Sequence, residues 1–356
     1  MRGPDNLVLL FYDGYERQAE EGFAARLGAE ARRAARMVWR SITRRQVWTG
    51  RFMTYRSLRY ALTRAGYHVK VNDFAAARRY PDHPIAACGY VTVIDKVKAL
   101  PNPRLLGPGL YDSPLQNPHL MEDPRNRLYI QRCEWEKKLF DPYFGDKIRL
   151  WYRGYDLSKF EDVSGHPKTV DVLIYDKIYH SREENYGKAI KPFIEMLQAQ
   201  GLSYQIIRYG KYHHRDYKDA LKRSRVMAFF AHSEVQGNAQ IEASAMNVPV
   251  FAWDEGVWLD PEAKRLSSDP IPCTSVTHFD DRCGLRFKAA DMKERWLEFW
   301  PARESYSPRA YVGEELPLLG SAQTYIAHYR EAGSAELASS PVADDARPQR
   351  LATATV

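Results

Sequence analysis

Short apolar runs alternate with amphipathic segments through the first half of the chain. Runs at residues 6–12, 67–73 and 90–95 have the length of strands and end beside Gly, Asn or Asp, and residues 53–66 have helical spacing that ends at Gly66. The remaining short elements are strands at 103–109, 128–131 and 147–152 and a helix at 133–140. This order predicts a βαβ series with parallel strands and a long helical insertion after the first strand.

A second alternating series follows the polar residues 161–169, where we place a domain boundary. Its elements are strands at 170–175, 203–209, 226–231 and 248–253 and helices at 185–200 and 216–224. We therefore predict an α/β protein of two Rossmann-like domains that face each other across a cleft, with ligands at the carboxyl ends of the strands. The predicted parts are a first Rossmann-like domain at 1–165 with a basic helical insertion at 20–52, a second Rossmann-like domain at 166–315, a helix at 316–333 that packs back on the first domain, and a disordered tail at 334–356.

The net charge of +7 is concentrated in one stretch, because residues 31–72 contain no Asp or Glu. The basic residues there are Arg32, Arg33, Arg36, Arg40, Arg44, Arg45, Arg51, Arg56, Arg59, Arg64 and Lys70. Apolar residues recur beside them at helical spacing: Leu27, Ala31, Ala34, Ala35, Val38 and Ile42, with Trp39, Trp48 and Phe52 nearby. One interpretation is a basic helix in residues 31–52 on an anionic membrane surface. The alternative is a helix whose apolar stripe packs on its own domain.

Other sequence features limit the compartment and the cofactors. No apolar run reaches the roughly 18 residues of a membrane span, and no cleavage site follows the first apolar run. The four cysteines have no paired spacing that is typical of a zinc site. We expect a cytoplasmic protein with reduced thiols and no metal cofactor.

Two glutamates lie in the stretch HSEVQGNAQIEASAMNVPVFAWD, residues 232–254. Glu234 follows a strand, so its loop lies at the carboxyl edge of the predicted sheet. Gly237 allows the backbone close approach, and the helix that begins near Ala239 presents free N–H groups that suit a phosphate. Glu242 suits the hydroxyls of a ribose. The alternative is two ordinary glutamates, one beside the helix dipole and one on the surface.

This stretch resembles the Glu-x7-Glu signature of the retaining glycosyltransferases of family 4. The resemblance implies a GT-B fold, a nucleotide-diphosphate sugar as donor and no required metal. Glu242 would hold the donor ribose and Glu234 the transferred sugar. The backbone amides near the sugar and phosphates would be those of Gln236, Gly237, Asn238 and Ala239.

The family places an Arg and a Lys near the diphosphate, and this sequence departs from that pattern. Lys177 stands at the Arg position, where a surface cation beside Asp176 is the alternative, and Arg182 or Lys188 would replace the missing Lys. His119 is the candidate for a histidine near the sugar, unless it is a solvent-exposed loop residue. Tyr209 begins the segment YGKYHH, which follows a strand and either contacts the nucleobase or forms a surface loop.

The resulting hypothesis is a retaining glycosyltransferase of the hexosyltransferase type. It would move a sugar to a cell-envelope, polysaccharide or glycoconjugate acceptor, carbohydrate or lipid-linked, as a cytoplasmic protein that can lie peripherally on the inner face of the membrane. The alternatives are a GT-B sugar-nucleotide epimerase or hydrolase, and a non-catalytic protein that binds nucleic acid through its arginines. No nucleic-acid motif accompanies those arginines, so we expect no nucleic-acid partner.

Overall fold

The computed structural model describes residues 1–43 and 48–334. The strands are β1 (Leu7–Asp13), β2 (His68–Val71), β3 (Ile85–Gly89), β4 (Arg104–Leu106), β5 (Asn126–Gln131), β6 (Ile148–Leu150), β7 (Val170–Lys177), β8 (Tyr204–Arg208), β9 (Ser224–Ala231), β10 (Val250–Trp253) and β11 (Gly284–Phe287). The helices are α1 (Phe23–Ile42), α2 (Gly50–Arg64), α3 (Phe74–Arg79), α4 (Thr92–Val97), α5 (Glu134–Phe144), α6 (Arg182–Asn185), α7 (Lys191–Ala199), α8 (His214–Arg223), α9 (Asn238–Ala245), α10 (Ala263–Leu266), α11 (Met292–Ala302), α12 (Pro308–Glu315) and α13 (Leu318–Ala332).

The chain divides into two compact units, each built from separated segments. Among the described residues, unit 1 comprises 1–22, 62–151 and 323–334, and unit 2 comprises 23–43, 48–61 and 152–322. Two of the four changes of unit fall inside helices, in α2 and in α13. The predicted boundary at 161–169 lies C-terminal to the change of unit after Trp151, and the basic insertion is grouped with unit 2. Except for Ser334, the tail that the sequence predicts to be disordered lies outside the described residues, as do Arg44 and Arg45.

Unit 1 contains a parallel sheet with strand order β2-β1-β3-β4-β5-β6. Every residue of β1 is buried, because the run LVLLFYD lies between two neighbouring strands and is covered on both faces. The second half of α13 packs against the sheet of this unit. The backbone N–H of Leu9 donates to the Tyr329 hydroxyl at 3.0 Å, and that hydroxyl donates to the carbonyl of Pro84.

Unit 2 contains a parallel sheet with strand order β11-β10-β9-β7-β8. Alternate residues of β7 and β9 enter two apolar layers, one on each face of the sheet: Leu173, Tyr175, Met227 and Phe229 on one, and Val172, Ile174, Val226 and Ala228 on the other. Lys177 pairs with Ala231, and Trp253 pairs with Phe230, so the carboxyl ends of the three central strands meet at one edge. The prediction of an α/β fold with two parallel sheets is confirmed.

Helix α1 and most of α2 belong to unit 2. In α2, Phe52, Tyr55 and Leu58 are buried, and the Tyr60 hydroxyl donates to Asp156 Oδ2 at 2.7 Å. Helix α1 differs, because all of its large apolar side chains except Met37 are exposed. The interpretation that its apolar stripe packs on its own domain is therefore wrong. Within the described ranges, no helix is both long enough and apolar enough to cross a membrane.

One strand of the first series was misplaced. Residues 90–95 were predicted as a strand, but Thr92–Val97 form α4, with Val93 and Val97 buried on one side at a spacing of four. The strand in this region is β3, whose five residues are all buried. Its sequence IAACG is apolar but small, so it carries little strand signal.

Candidate functional site

The loop at residues 232–237 leads from the carboxyl end of β9 into α9. Gly237 caps α9 with φ +65° and ψ +41°, a left-handed conformation that favours glycine. The backbone N–H of Glu234 donates to the carbonyl of Thr274 at 3.0 Å, which fixes the middle of the loop. The first N–H groups of α9 therefore lie at the edge of the sheet where ligands of parallel α/β sheets bind.

Glu234 and Lys177 form an ion pair at this edge. The Lys177 ammonium contacts Glu234 Oε1, and it lies 4.8 Å from the centre of the Tyr209 ring. The two charged side chains are only 20% and 10% exposed, for Lys177 and Glu234 respectively, so the pair is shielded from solvent. Three predicted site residues are thus brought into one cluster.

Glu242 is buried within α9 and contacts a histidine from α8. Its Oε2 lies 2.6 Å from Nε2 of His214, and the residue is only 6% exposed. Burial raises the pKa of the Glu242 carboxyl, but the hydrogen bond and charge of His214, with the charges of Arg153 and Lys218, outweigh it and the pKa is lowered. Glu242 is therefore ionised near neutral pH and accepts hydrogen bonds, as its predicted contact with hydroxyls requires.

Asn238, the first residue of α9, accepts hydrogen bonds from two side chains near the beginning of the 152–322 segment of unit 2. Its Oδ1 accepts hydrogen bonds from Arg153 Nη1 at 2.7 Å and from the Tyr155 hydroxyl at 3.1 Å. The carbonyl of Ala239 accepts from the Tyr217 hydroxyl at 2.6 Å. Arg153 is 5% exposed and places a positive charge beside the helix N-terminus. Arg153 has no role among the predictions made from the sequence.

Arg182 makes a local ion pair instead of joining the Glu234 cluster. Its guanidinium donates to both oxygens of Asp176, at 2.9 and 2.5 Å, and to the carbonyl of Ile178 at 3.1 Å. Its pKa is raised, chiefly by the hydrogen bonds to Asp176. Lys188 Nζ lies 3.7 Å from Glu255 Oε1. A structural role at the end of β7 accounts for the contacts of Arg182.

Two buried polar side chains of the 232–237 loop lack protein partners. Gln236 is 4% exposed and His232 is 7% exposed, yet neither amide atom of Gln236 and neither ring nitrogen of His232 has a hydrogen-bond partner among the described residues. Burial and the nearby His180 lower the pKa of His232, which keeps its ring neutral. Buried polar atoms without partners cost roughly 1–3 kcal/mol each, and a ligand with hydroxyl groups would satisfy them. For Gln236, the sequence predicts a role only for the backbone amide.

His119 lies in unit 1 on an exposed turn. Its Nδ1 is 2.8 Å from Glu122 Oε1, and 64% of its side chain is exposed. Its predicted role beside the sugar stays a prediction. Across the part of the chain that the structure describes, no group of three or more His, Cys, Asp or Glu side chains could hold a metal ion.

The two parallel sheets and their connections define the GT-B fold, which solved glycosyltransferases share. AviGT4, a glycosyltransferase involved in avilamycin A biosynthesis, is similar over 80% of this chain and 90% of its own, with a TM-score of 0.52 and 12% identity. Sucrose-phosphate synthase from Thermosynechococcus elongatus is similar over 91% of this chain and 98% of its own, with a TM-score of 0.55 and 13% identity. No protein-family model matches the chain, and no curated protein sequence is significantly similar to it. At this identity the similarity establishes the fold.

Proposed function

We propose that the protein is a glycosyltransferase that takes a sugar from a nucleotide-diphosphate sugar held by unit 2. The observation that carries the proposal is the grouping of Glu234, Lys177 and the N-terminus of α9 at the carboxyl edge of the sheet, with ionised Glu242 in the same helix. The N-terminus of α9 can bind an anion, and Glu242 on the same helix can accept hydrogen bonds from hydroxyl groups. Together they suit a molecule in which a diphosphate is joined to a ribose. The shared fold with AviGT4 and sucrose-phosphate synthase supports the same class of reaction.

Each residue has a chemical role in this proposal. The backbone amides from Gln236 to Ala239 and the charge of Lys177 would stabilise the negative charge that develops on the departing diphosphate. Glu234 would accept hydrogen bonds from the transferred sugar, and Glu242 from the ribose. Arg153 is a better second cation than Arg182, because Arg182 is neutralised by both oxygens of Asp176. These groups supply the electrostatic stabilisation from the protein itself, so we propose no metal cofactor.

Binding of the donor would change the partner of Lys177. In this structure its charge is paired with Glu234. A diphosphate carries more negative charge than one carboxylate, so it would attract the ammonium and leave Glu234 for the sugar hydroxyls. The ion pair thus holds both side chains at the site before the donor binds. In the complex, Lys177 would contact the diphosphate and Glu234 would contact the sugar.

The finer parts of the proposal come from the resemblance to family 4. They are retention of configuration, transfer to a cell-envelope, polysaccharide or glycoconjugate acceptor, and a role of His119 beside the transferred sugar. The acceptor can be a carbohydrate or lipid-linked. Separately, from the spacing of the cysteines and from the basic stretch at 31–52, we propose a cytoplasmic protein that lies peripherally on the inner face of a membrane.

Titration calorimetry of the full chain with UDP, GDP and ADP tests the donor site. We expect saturable binding of at least one of them, and Lys177→Ala should weaken it about ten- to hundredfold, the value of a charge-assisted contact of about 1.5–3 kcal/mol. Lys222→Ala is the matched control, since Lys222 also pairs with a glutamate in unit 2, at 2.6 Å from Glu161 Oε2. Absence of binding by all three diphosphates, or equal loss in both variants, would overturn the assignment. Full-rate turnover of a donor without acceptor would instead favour an epimerase or hydrolase.

A further inference from the structure

Helix α1 exposes its apolar side to solvent. Five of its large apolar side chains are between 59% and 83% exposed, Met37 is partly buried, and Ala31, Ala34 and Ala35 are exposed as well. The exposed large residues are Phe23, Leu27, Val38, Trp39 and Ile42. At 100° per residue these five residues and the three alanines lie within about half of the helix circumference, which gives a continuous apolar surface along a helix of 20 residues.

The opposite side of α1 is turned toward the protein. Ala29 is buried, and Arg33, Arg36 and Arg40 are partly buried, at the spacing of one helix face. An amphipathic helix on the surface of a globular protein ordinarily buries its apolar stripe and exposes its charges. The orientation of α1 is the reverse, so its apolar surface lacks the cover that folding usually supplies. A contiguous exposed patch of this kind is typical of an interaction site.

The charges around α1 select the partner. From residue 31 to residue 72 the chain has no Asp or Glu, and Arg26 and Arg32 on α1 and Arg56 and Arg59 on α2 are exposed. A second copy of this surface would bring like charges together, whereas an anionic bilayer offers phosphate groups at the level of the arginines and acyl chains at the level of the apolar residues. Trp39 adds an amphipathic ring that is typical of the boundary between the two regions.

We infer that α1 binds the surface of an anionic lipid bilayer, lying parallel to it with Phe23, Leu27, Val38, Trp39 and Ile42 inserted among the lipids. The helix is about 30 Å long, at about 1.5 Å per residue, and all of this length contacts the bilayer. The inference rests on the exposure of this helix and holds whether or not the protein transfers sugars. Together with the proposed transfer, it identifies a lipid-borne acceptor as the class of second substrate.

Flotation of the full chain with lipid vesicles tests the inference. We expect the protein to float with vesicles of phosphatidylcholine and phosphatidylglycerol in equal amounts, to float less with phosphatidylcholine alone, and to be released in part by high salt. The variant L27Q/W39Q/I42Q should bind about tenfold more weakly or worse, because it removes much of the inserted apolar surface. Thermal unfolding should stay close to that of the wild type, since these side chains are exposed.

The matched control variant is Leu297→Gln with Leu319→Gln. These leucines are also exposed in unit 2, at 68% and 51%, but lie on other helices, so their replacement should leave flotation unchanged. Failure of the wild type to float with anionic vesicles would overturn the inference, as would equal flotation of the two variants. Light scattering supplies the third outcome. A dimer that the α1 substitutions dissociate would assign the surface to a second copy of the chain and overturn the bilayer assignment. The calorimetry described above contains no lipid, so either proposal can fail without the other.

Discussion

Replacement of Glu242 tests whether this carboxylate holds a ribose. Glu242→Gln keeps the volume and can still accept a hydrogen bond, but it removes the charge, whereas Glu242→Ala removes the acceptor. A hydrogen bond to a charged group contributes about 1.5–3 kcal/mol and a neutral one about 0.5–1.5 kcal/mol. We therefore expect the Gln variant to bind nucleoside diphosphate about fivefold more weakly and the Ala variant about ten- to hundredfold more weakly.

Calorimetry with a deoxynucleotide makes the test specific to the ribose. In the wild type, the 2′-deoxy form of the preferred diphosphate should bind more weakly than the ribose form. In Glu242→Ala this difference should largely disappear, because the hydroxyl has lost its partner. Additive losses, with the full deoxy penalty kept in the Ala variant, would refute the assignment of Glu242 to the ribose.

A buried carboxylate in unit 1 serves as the control for general effects of lost charge. Glu136 is 2% exposed and contacts Arg132 at 3.1 Å, as Glu242 contacts His214. Glu136→Gln should destabilise the fold but leave nucleotide affinity unchanged. Thermal unfolding of every variant shows that the titrated protein is folded. Equal weakening by Glu136→Gln and Glu242→Gln would mean that affinity follows stability and would remove the support for a direct contact.

Three further predictions concern the site and the stability of the fold. His214→Ala should raise the KM for the nucleotide sugar several-fold with little change in kcat. His214→Gln should keep the KM close to that of the wild type, because its amide can still donate to Glu242. A loss of kcat in both variants would contradict a positioning role of His214. Gly284→Ala should not fold, because φ is +141° and a Cβ would overlap a backbone carbonyl of β10, and urea titration should then show no cooperative unfolding. Gly201→Ala, with φ +67° and open space around the Cβ position, should lower the free energy of unfolding by only about 1 kcal/mol. Burial raises the pKa of Asp123, but hydrogen bonds and charges of neighbouring arginines lower it to about 2. The ionised Asp123 therefore stabilises the fold above about pH 3.9, and this stabilisation is lost as the pH falls toward 2. Between these pH values the urea midpoint of the wild type should fall more steeply than that of Asp123→Asn.

The strands of unit 2 were predictable because each is a short apolar run between polar turns. β7, β9 and β10 begin and end within a few residues of the predicted bounds, and burial on both faces explains why they lack polar alternation. Helix α4 was not predictable in the same way. Its six residues make fewer than two turns, so two valines at a spacing of four cannot be distinguished from a strand by periodicity.

The partners of the site residues come from distant segments, and no local pattern indicates them. His214 precedes Glu242 by 28 residues and Arg153 precedes Asn238 by 85, so their contacts follow from how the strands are ordered in the sheet. The sequence also does not show which side of α1 faces solvent, because an apolar stripe has the same spacing whether it faces a core or solvent. Periodicity gives the stripe, and only the packed structure gives its orientation.

The hydrogen bonds of Tyr329 affect the order in which the protein completes its fold during synthesis. Residue 329 must leave the ribosome before the N–H of Leu9, in the first strand, meets its partner. Every segment of unit 2 is made before residue 323, so that unit can finish first even though unit 1 contains the N-terminus. β1 is thus synthesised before most of unit 2 but is among the last strands to gain all of its contacts. A stop codon placed between residues 322 and 329 would keep every segment of unit 2 but would remove the Tyr329 hydroxyl that Leu9 and Pro84 contact.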